Sequence, residues 1–92
     1  MTRSLALVHN DARPEDSIAQ RVQRLTCEAR RLANDHVELL IARMNAMAQT
    51  AEEIAEGGEA YPPGVRDLAR RAAEDCLARA QTLEALATRS GR

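Results

Sequence analysis

The sequence has no Phe, no Trp and no Lys, and only one Tyr, two Cys, three Pro and four Gly in 92 residues. Each shortage excludes something. With a single ring, Tyr61, no cluster of aromatics can fill a core or interleave with basic residues as a base-stacking surface. Two cysteines, Cys27 and Cys76, stand 49 positions apart and form no metal or redox motif. Thirteen basic and 14 acidic residues nearly cancel, so no global field draws nucleic acid or anionic lipid. The longest N-terminal apolar run, Leu5–Val8, is shorter than a signal-peptide core of about 7–15 residues or a membrane span of about 20. A reducing, cytoplasmic setting without a membrane is the expectation.

What is present is alanine. Eighteen of the apolar residues are Ala, which leaves 23 larger apolar side chains. Such a small chain buries only about 60–65% of its unfolded surface. A thin core in so short a chain calls for a metal, a disulfide or a partner. All 13 basic residues are Arg, which together with the alanine excess reads as a GC-rich coding bias.

Residues 1–13 lack helical period and read as an N-terminal tail, irregular or with a short strand at Ser4–Val8. Residues 14–92 read as one helical domain. Pro14 suits a first helical position, Glu15 and Asp16 suit the positive end of a helix, and Ser17 to Gln20 fits a capping box. Helix 1 is expected over about 15–56, ending where Gly57 and Gly58 supply a left-handed residue. A loop over 57–62 leads to helix 2, about 63–89.

In helix 1 the residues Ile18, Val22, Leu25, Ala29, Ala33, His36, Leu40, Met44, Met47, Ala51 and Ile54 take ten steps over 36 positions. This is the period of a straight α-helix rather than a left-handed coiled coil. Leu25, Leu32 and Leu39 widen the stripe on one flank, and Val37, Ile41 and Ala48 on the other, to an arc of roughly 200°. That is about twice what one neighbour needs. Helix 2 carries Val65, Ala69, Ala72, Cys76, Ala80, Leu83 and Ala87, flanked by Leu68, Leu77 and Leu86. Alanine on this line lets helix axes come to the near end of the usual range of about 8–10 Å.

The short connection implies an antiparallel hairpin. Helix 1 spans roughly 60 Å and helix 2 roughly 40 Å, so some 13 residues of helix 1 are left without an intrachain neighbour. The expected fold class is therefore all-α: a long antiparallel helical hairpin assembling as a dimeric four-helix bundle. The expected dimer interface is Ile18, Val22, Leu25, Leu32, His36, Leu39, Leu40 and Met44.

The loop holds Tyr61, Pro62 and Pro63. Residues before proline are pushed from the α region, so Tyr61 and Pro62 are extended. The expectation is that the Tyr61 ring plugs the hairpin end, towards Ile54, Val65 or the Arg66 stem. A recognition loop is the alternative.

Catalytic chemistry finds no support. His36 lies in the apolar stripe with Leu39 and Leu40 where a second metal ligand would stand, so it reads as a core or interface histidine. Cys76 falls on the stripe of helix 2, opposite residues near Arg43 and far from Cys27. Arg24, Arg30 and Arg31 lie near Cys27, but Glu28 adjoins it, so it is a weak candidate for a reactive thiol. Met44 and Met47 read as core.

Arg21, Arg24, Arg30 and Arg31 form a basic cluster at one end of helix 1, and Glu52, Glu53, Glu56 and Glu59 an acidic one at the other. Two antiparallel copies would bring each basic end to the partner's acidic end. No catalytic, metal or cofactor site is expected. The reading is a non-enzymatic protein–protein interaction, regulatory or adaptor protein working as a homodimer with an unidentified protein partner. The alternative is a nucleic-acid-associated accessory protein using Arg21, Arg24, Arg30 and Arg31.

Overall fold

The structure, a computed structural model, describes residues 17–89, all but a few of them helical. The expected tail, with its strand at Ser4–Val8, and the expected role of Pro14, Glu15 and Asp16 lie outside these residues. Helix α1 runs Ile18–Ala55, a 3-10 turn covers Gly58–Ala60, and helix α2 runs Pro63–Arg89. Residues up to Leu32 and from Ala33 onward form two compact units, and α1 passes through the boundary.

The first unit, among described residues, is the N-terminal part of α1. Its start is a reciprocal capping box. Gln20 N donates to Ser17 Oγ at 3.1 Å, and Ser17 N donates to Gln20 Oε1 at 2.8 Å. Two donors that the helix leaves without partners are thereby satisfied. No Gly or Pro interrupts the following 38 residues, and Ala, Leu, Arg, Gln and Glu carry them at low helix cost. Arg31 pairs with Glu28 at 3.4 Å one turn back, an exposed pair worth a few tenths of a kcal/mol, on the order of 0.2–0.5.

The second unit is the hairpin. Its buried residues are Ile41, Ala48 and Ala55 on α1, and Ala73 and Ala80 on α2. Around them Val37, Met44 and Ala51 are half-buried on α1, as are Ala69, Cys76, Leu83 and Ala87 on α2. Taken together, the α1 positions are 37, 41, 44, 48, 51 and 55, and the α2 positions 69, 73, 76, 80, 83 and 87. Steps of three and four alternate on both helices. This is the seven-residue repeat of an antiparallel coiled-coil seam.

The expected centre of the stripe was different. Its members His36, Leu40 and Met47 stay exposed, and the flank formed by Val37, Ile41 and Ala48 makes the seam instead. On α2, Ala73 is buried while Val65 and Ala72 are exposed. The reason is steric. Two helices come closest where both offer methyl groups every seventh residue, and α2 offers Ala73, Ala80 and Ala87 along one line. Shape matching against that line selects Ala48 and Ala55 on α1 over the larger residues beside them.

Two contacts fix the register. The Cys76 thiol donates to the Met47 sulfur at 3.6 Å, and Arg70 Nη2 donates to the Ala55 carbonyl at 3.3 Å. Ile41 then lies level with Leu83, Met44 with Ala80, Ala48 with Cys76, Ala51 with Ala73 and Ala55 with Ala69. Cys76, level with Ala48, thus falls more than a turn from its expected place opposite Arg43. The 3-10 turn and the extended Tyr61 carry the chain past the end of α1 before α2 begins, which shifts the pairing. Arg70 also does electrical work. The last turn of α1 has no basic residue of its own, and the guanidinium supplies the positive charge its carbonyls favour.

The turn is built on contact as much as on backbone freedom. Gly58 has φ +81, the left-handed conformation that glycine adopts without strain. Gly57 is in the ordinary helical region, at φ −80 and ψ −2. Glycine is required there for another reason: a Cβ would overlap the Tyr61 ring. The ring lies across the Gly57 backbone, still 38% exposed, and Arg66 Nε donates to the Tyr61 carbonyl at 3.1 Å. Pro62 O then accepts from Arg66 N at 3.0 Å as α2 starts.

Two measurements check this account. Ala73→Leu or Ala80→Leu overpacks the seam and lowers stability by about 1–3 kcal/mol, while Ala78→Leu, on an exposed position, stays within about 0.5 kcal/mol. Denaturant titration showing the three variants alike would refute the alanine seam. Gly57→Ala costs about 1–3 kcal/mol in the native background because its methyl meets the ring. In a Tyr61→Ala background the same change costs at least about 0.5 kcal/mol less. Equal costs in both backgrounds would mean that the ring does not rest on Gly57.

Candidate interaction surface

The hairpin's two lateral sides differ. One side carries Glu38, Asn45 and Glu52 from α1 beside Arg70, Leu77 and Glu84 from α2. The other carries Leu40, Met47 and Ile54 beside Val65, Ala72, Arg79 and Leu86, Arg79 being exposed and paired with Asp75. The Cys76–Met47 contact crosses the seam on this second side. In an antiparallel pair, positions displaced in the same sense from their own seams come to the same side. At 100° per residue, the second line lies roughly 100° from the seam on each helix. The two lines therefore border one groove.

Most of this groove's large side chains are in water. Met47 is 60% exposed, and Leu40, Val65 and Leu86 each between 47% and 48%. Leu39 and Leu68, the latter 66% exposed, extend the apolar surface outward. A shallow depression lined by Ala33, His36, Val37, Leu39, Leu40 and Arg43 marks its end away from the loop. Full burial of a Leu or Met side chain is worth about 1.5–3 kcal/mol, of which these half-exposed ones forgo roughly half.

The first unit has its own apolar line: Ile18, Val22, Leu25, Ala29 and Leu32. Ile18 is 70% exposed, and Val22, Leu25 and Leu32 are more than half exposed. Ile18, Leu25 and Leu32 recur at intervals of seven. So do Leu40, Met47 and Ile54.

Of the residues expected at a dimer interface, Ile18, Val22, Leu25, Leu32, His36, Leu39 and Leu40 are exposed. Met44 is half-buried on the seam facing α2. His36 is exposed beside Arg43 rather than in the core. Residues the sequence reading did not place on this surface are Val65, Leu68, Ala72 and Leu86 of α2. Their signal was available as a second apolar line beside the alanines.

The four arginines do not converge. By helical position Arg24 and Arg31 share a side of α1, Arg21 lies between that side and the apolar line, and Arg30 is on the opposite side. Arg31 is paired with Glu28. Cys27 is exposed and Cys76 half-buried, and both are free thiols. Among the described residues no group of three or more His, Cys, Asp or Glu is placed to hold a metal ion, and no helix is long and apolar enough to cross a membrane. No protein-family model matches the chain, and neither a curated protein nor a solved structure matches it, so its reading rests on the geometry above.

Proposed function

We propose that this chain is a non-enzymatic protein–protein interaction module that works as a homodimer, four helices in all, in a regulatory or adaptor role. The observation that carries the proposal is the apolar groove on one side of the hairpin, together with the uncovered apolar line of residues 18–32. A core whose buried members are mostly alanine gains little, on the order of 0.8 kcal/mol per buried methyl-sized group. The larger side chains that could add more lie on the exposed lines. Covering them with a second copy places that free energy in the assembly, and the near-neutral net charge of −1 offers little opposition.

Large apolar side chains recurring at intervals of seven differ from scattered single apolar residues, which need no explanation. The second reading, association with nucleic acid through Arg21, Arg24, Arg30 and Arg31, is weakened by their spread around the helix and by the Arg31–Glu28 pair.

Light scattering at micromolar concentration is expected to give twice the 10.1 kDa chain mass. Leu68→Glu and Met47→Glu, exposed in the single chain, should shift the protein towards monomer with helix content kept. A monomer mass for the unaltered chain would overturn the proposal. Salt-sensitive retention on DNA, lost in an Arg21→Glu, Arg24→Glu variant, would instead favour the nucleic-acid reading.

A further inference from the structure

Resting on the self-association reading, we infer that the two copies exchange arms: residues 18–32 of each copy lie antiparallel to the partner's α1 in the groove of the partner's hairpin. Three observations point to this arrangement rather than to hairpin on hairpin or arm on arm.

The first is register. The arm presents Ile18, Leu25 and Leu32, and the groove's α1 wall presents Ile54, Met47 and Leu40, both at intervals of seven. Laid antiparallel, Ile18 meets the partner's Ile54, Leu25 the partner's Met47 and Leu32 the partner's Leu40 in one alignment. Across the groove, α2 supplies Leu68 and Ala72 near the arm's start, the stem of Arg79, itself paired with Asp75, at its middle, and Leu86 near its end. Ala29 on the arm leaves room for a close crossing, as alanine does along the hairpin seam.

The second is charge. The arm carries Arg21, Arg24, Arg30 and Arg31 against a single acid, Glu28. The loop end of the hairpin carries Glu52, Glu53, Glu56 and Glu59, with no basic residue between Arg43 and Arg66. The antiparallel alignment that matches the apolar residues also brings Arg21 level with the partner's Ala51, beside Glu52. Packing arm on arm would gather eight arginines, four from each copy, and hairpin on hairpin would leave the arm uncovered.

The third is closure. An antiparallel arm exchange is reciprocal, because each copy gives an arm and receives one, and the dimer is complete. A parallel placement of arm on groove would displace each copy along the last and generate an open chain of subunits.

The experiment uses the full chain with Cys27→Ser and Cys76→Ala. Leu25→Cys is placed in one preparation and Met47→Cys in another, with a tag to separate their masses. The two are refolded together and treated with a short bis-maleimide. Each chain carries a single cysteine, so no cross-link can form within one chain. The expected result is a cross-linked heterodimer in at least tenfold excess over either homodimer. Cross-linking of Met47→Cys to itself would overturn the arm exchange in favour of hairpin on hairpin. Cross-linking of Leu25→Cys to itself would overturn it in favour of paired arms. A dimer by light scattering with no cross-link at either position also refutes the exchange while leaving self-association intact. A monomer by light scattering removes the self-association reading itself, and the circular dichroism of each variant guards against loss of helix as the cause.

Discussion

The close approach of two helices along a line of alanines governs the rest of this structure. Alanine contributes little apolar area, but it removes the obstacle to backbone-level contact. With Ala48, Ala51 and Ala55 level with Cys76, Ala73 and Ala69, the three layers nearest the loop contain nothing larger than a thiol. Ile41, Met44 and Leu83 appear only further along. The seam is thus narrow where the chain turns.

That narrowness sets the character of the loop. Two helix ends this close leave no space for a long connection, and they leave the last carbonyls of α1 near the first turns of α2. Arg70 reaches one of those carbonyls at 3.3 Å, and Arg66 reaches the Tyr61 carbonyl at 3.1 Å. The Tyr61 ring then lies against the Gly57 backbone, 38% exposed.

The same packing explains why so much apolar surface remains outside. Each helix can give only one line to a seam this close, and the alanine lines take it. The larger residues of α1 and α2 are displaced by roughly 100° on each helix, to the same side, because an antiparallel pair brings equal displacements together. A groove is the geometric result. Whether a chain of this size keeps such a groove open is a matter of free energy, and the large side chains there outweigh the buried ones in the hairpin's own core.

Much of the architecture was legible in the sequence. Uninterrupted helix formers between Ser17 and Gly57, the Ser17–Gln20 capping box, the Gly57–Gly58 stop and the Pro63 start follow from local chemistry, which acts within a turn or two of each residue. The width of the apolar arc on α1 also exceeded what the contact with α2 covers. The face that α2 takes was not legible, because periodicity ranks residues by apolar size whereas packing ranks them by fit. His36, Leu40 and Met47 are the more conspicuous line, and Val37, Ile41 and Ala48 the one that fits. By itself, then, the sequence determined that there are two helices, where each begins and ends, and that their apolar surface exceeds the needs of one contact. Only tertiary structure decided which line is buried, that Gly57 is held to glycine by a ring four residues away, and that the remaining lines border one groove. Those depend on how two surfaces meet, and no single helix carries that information.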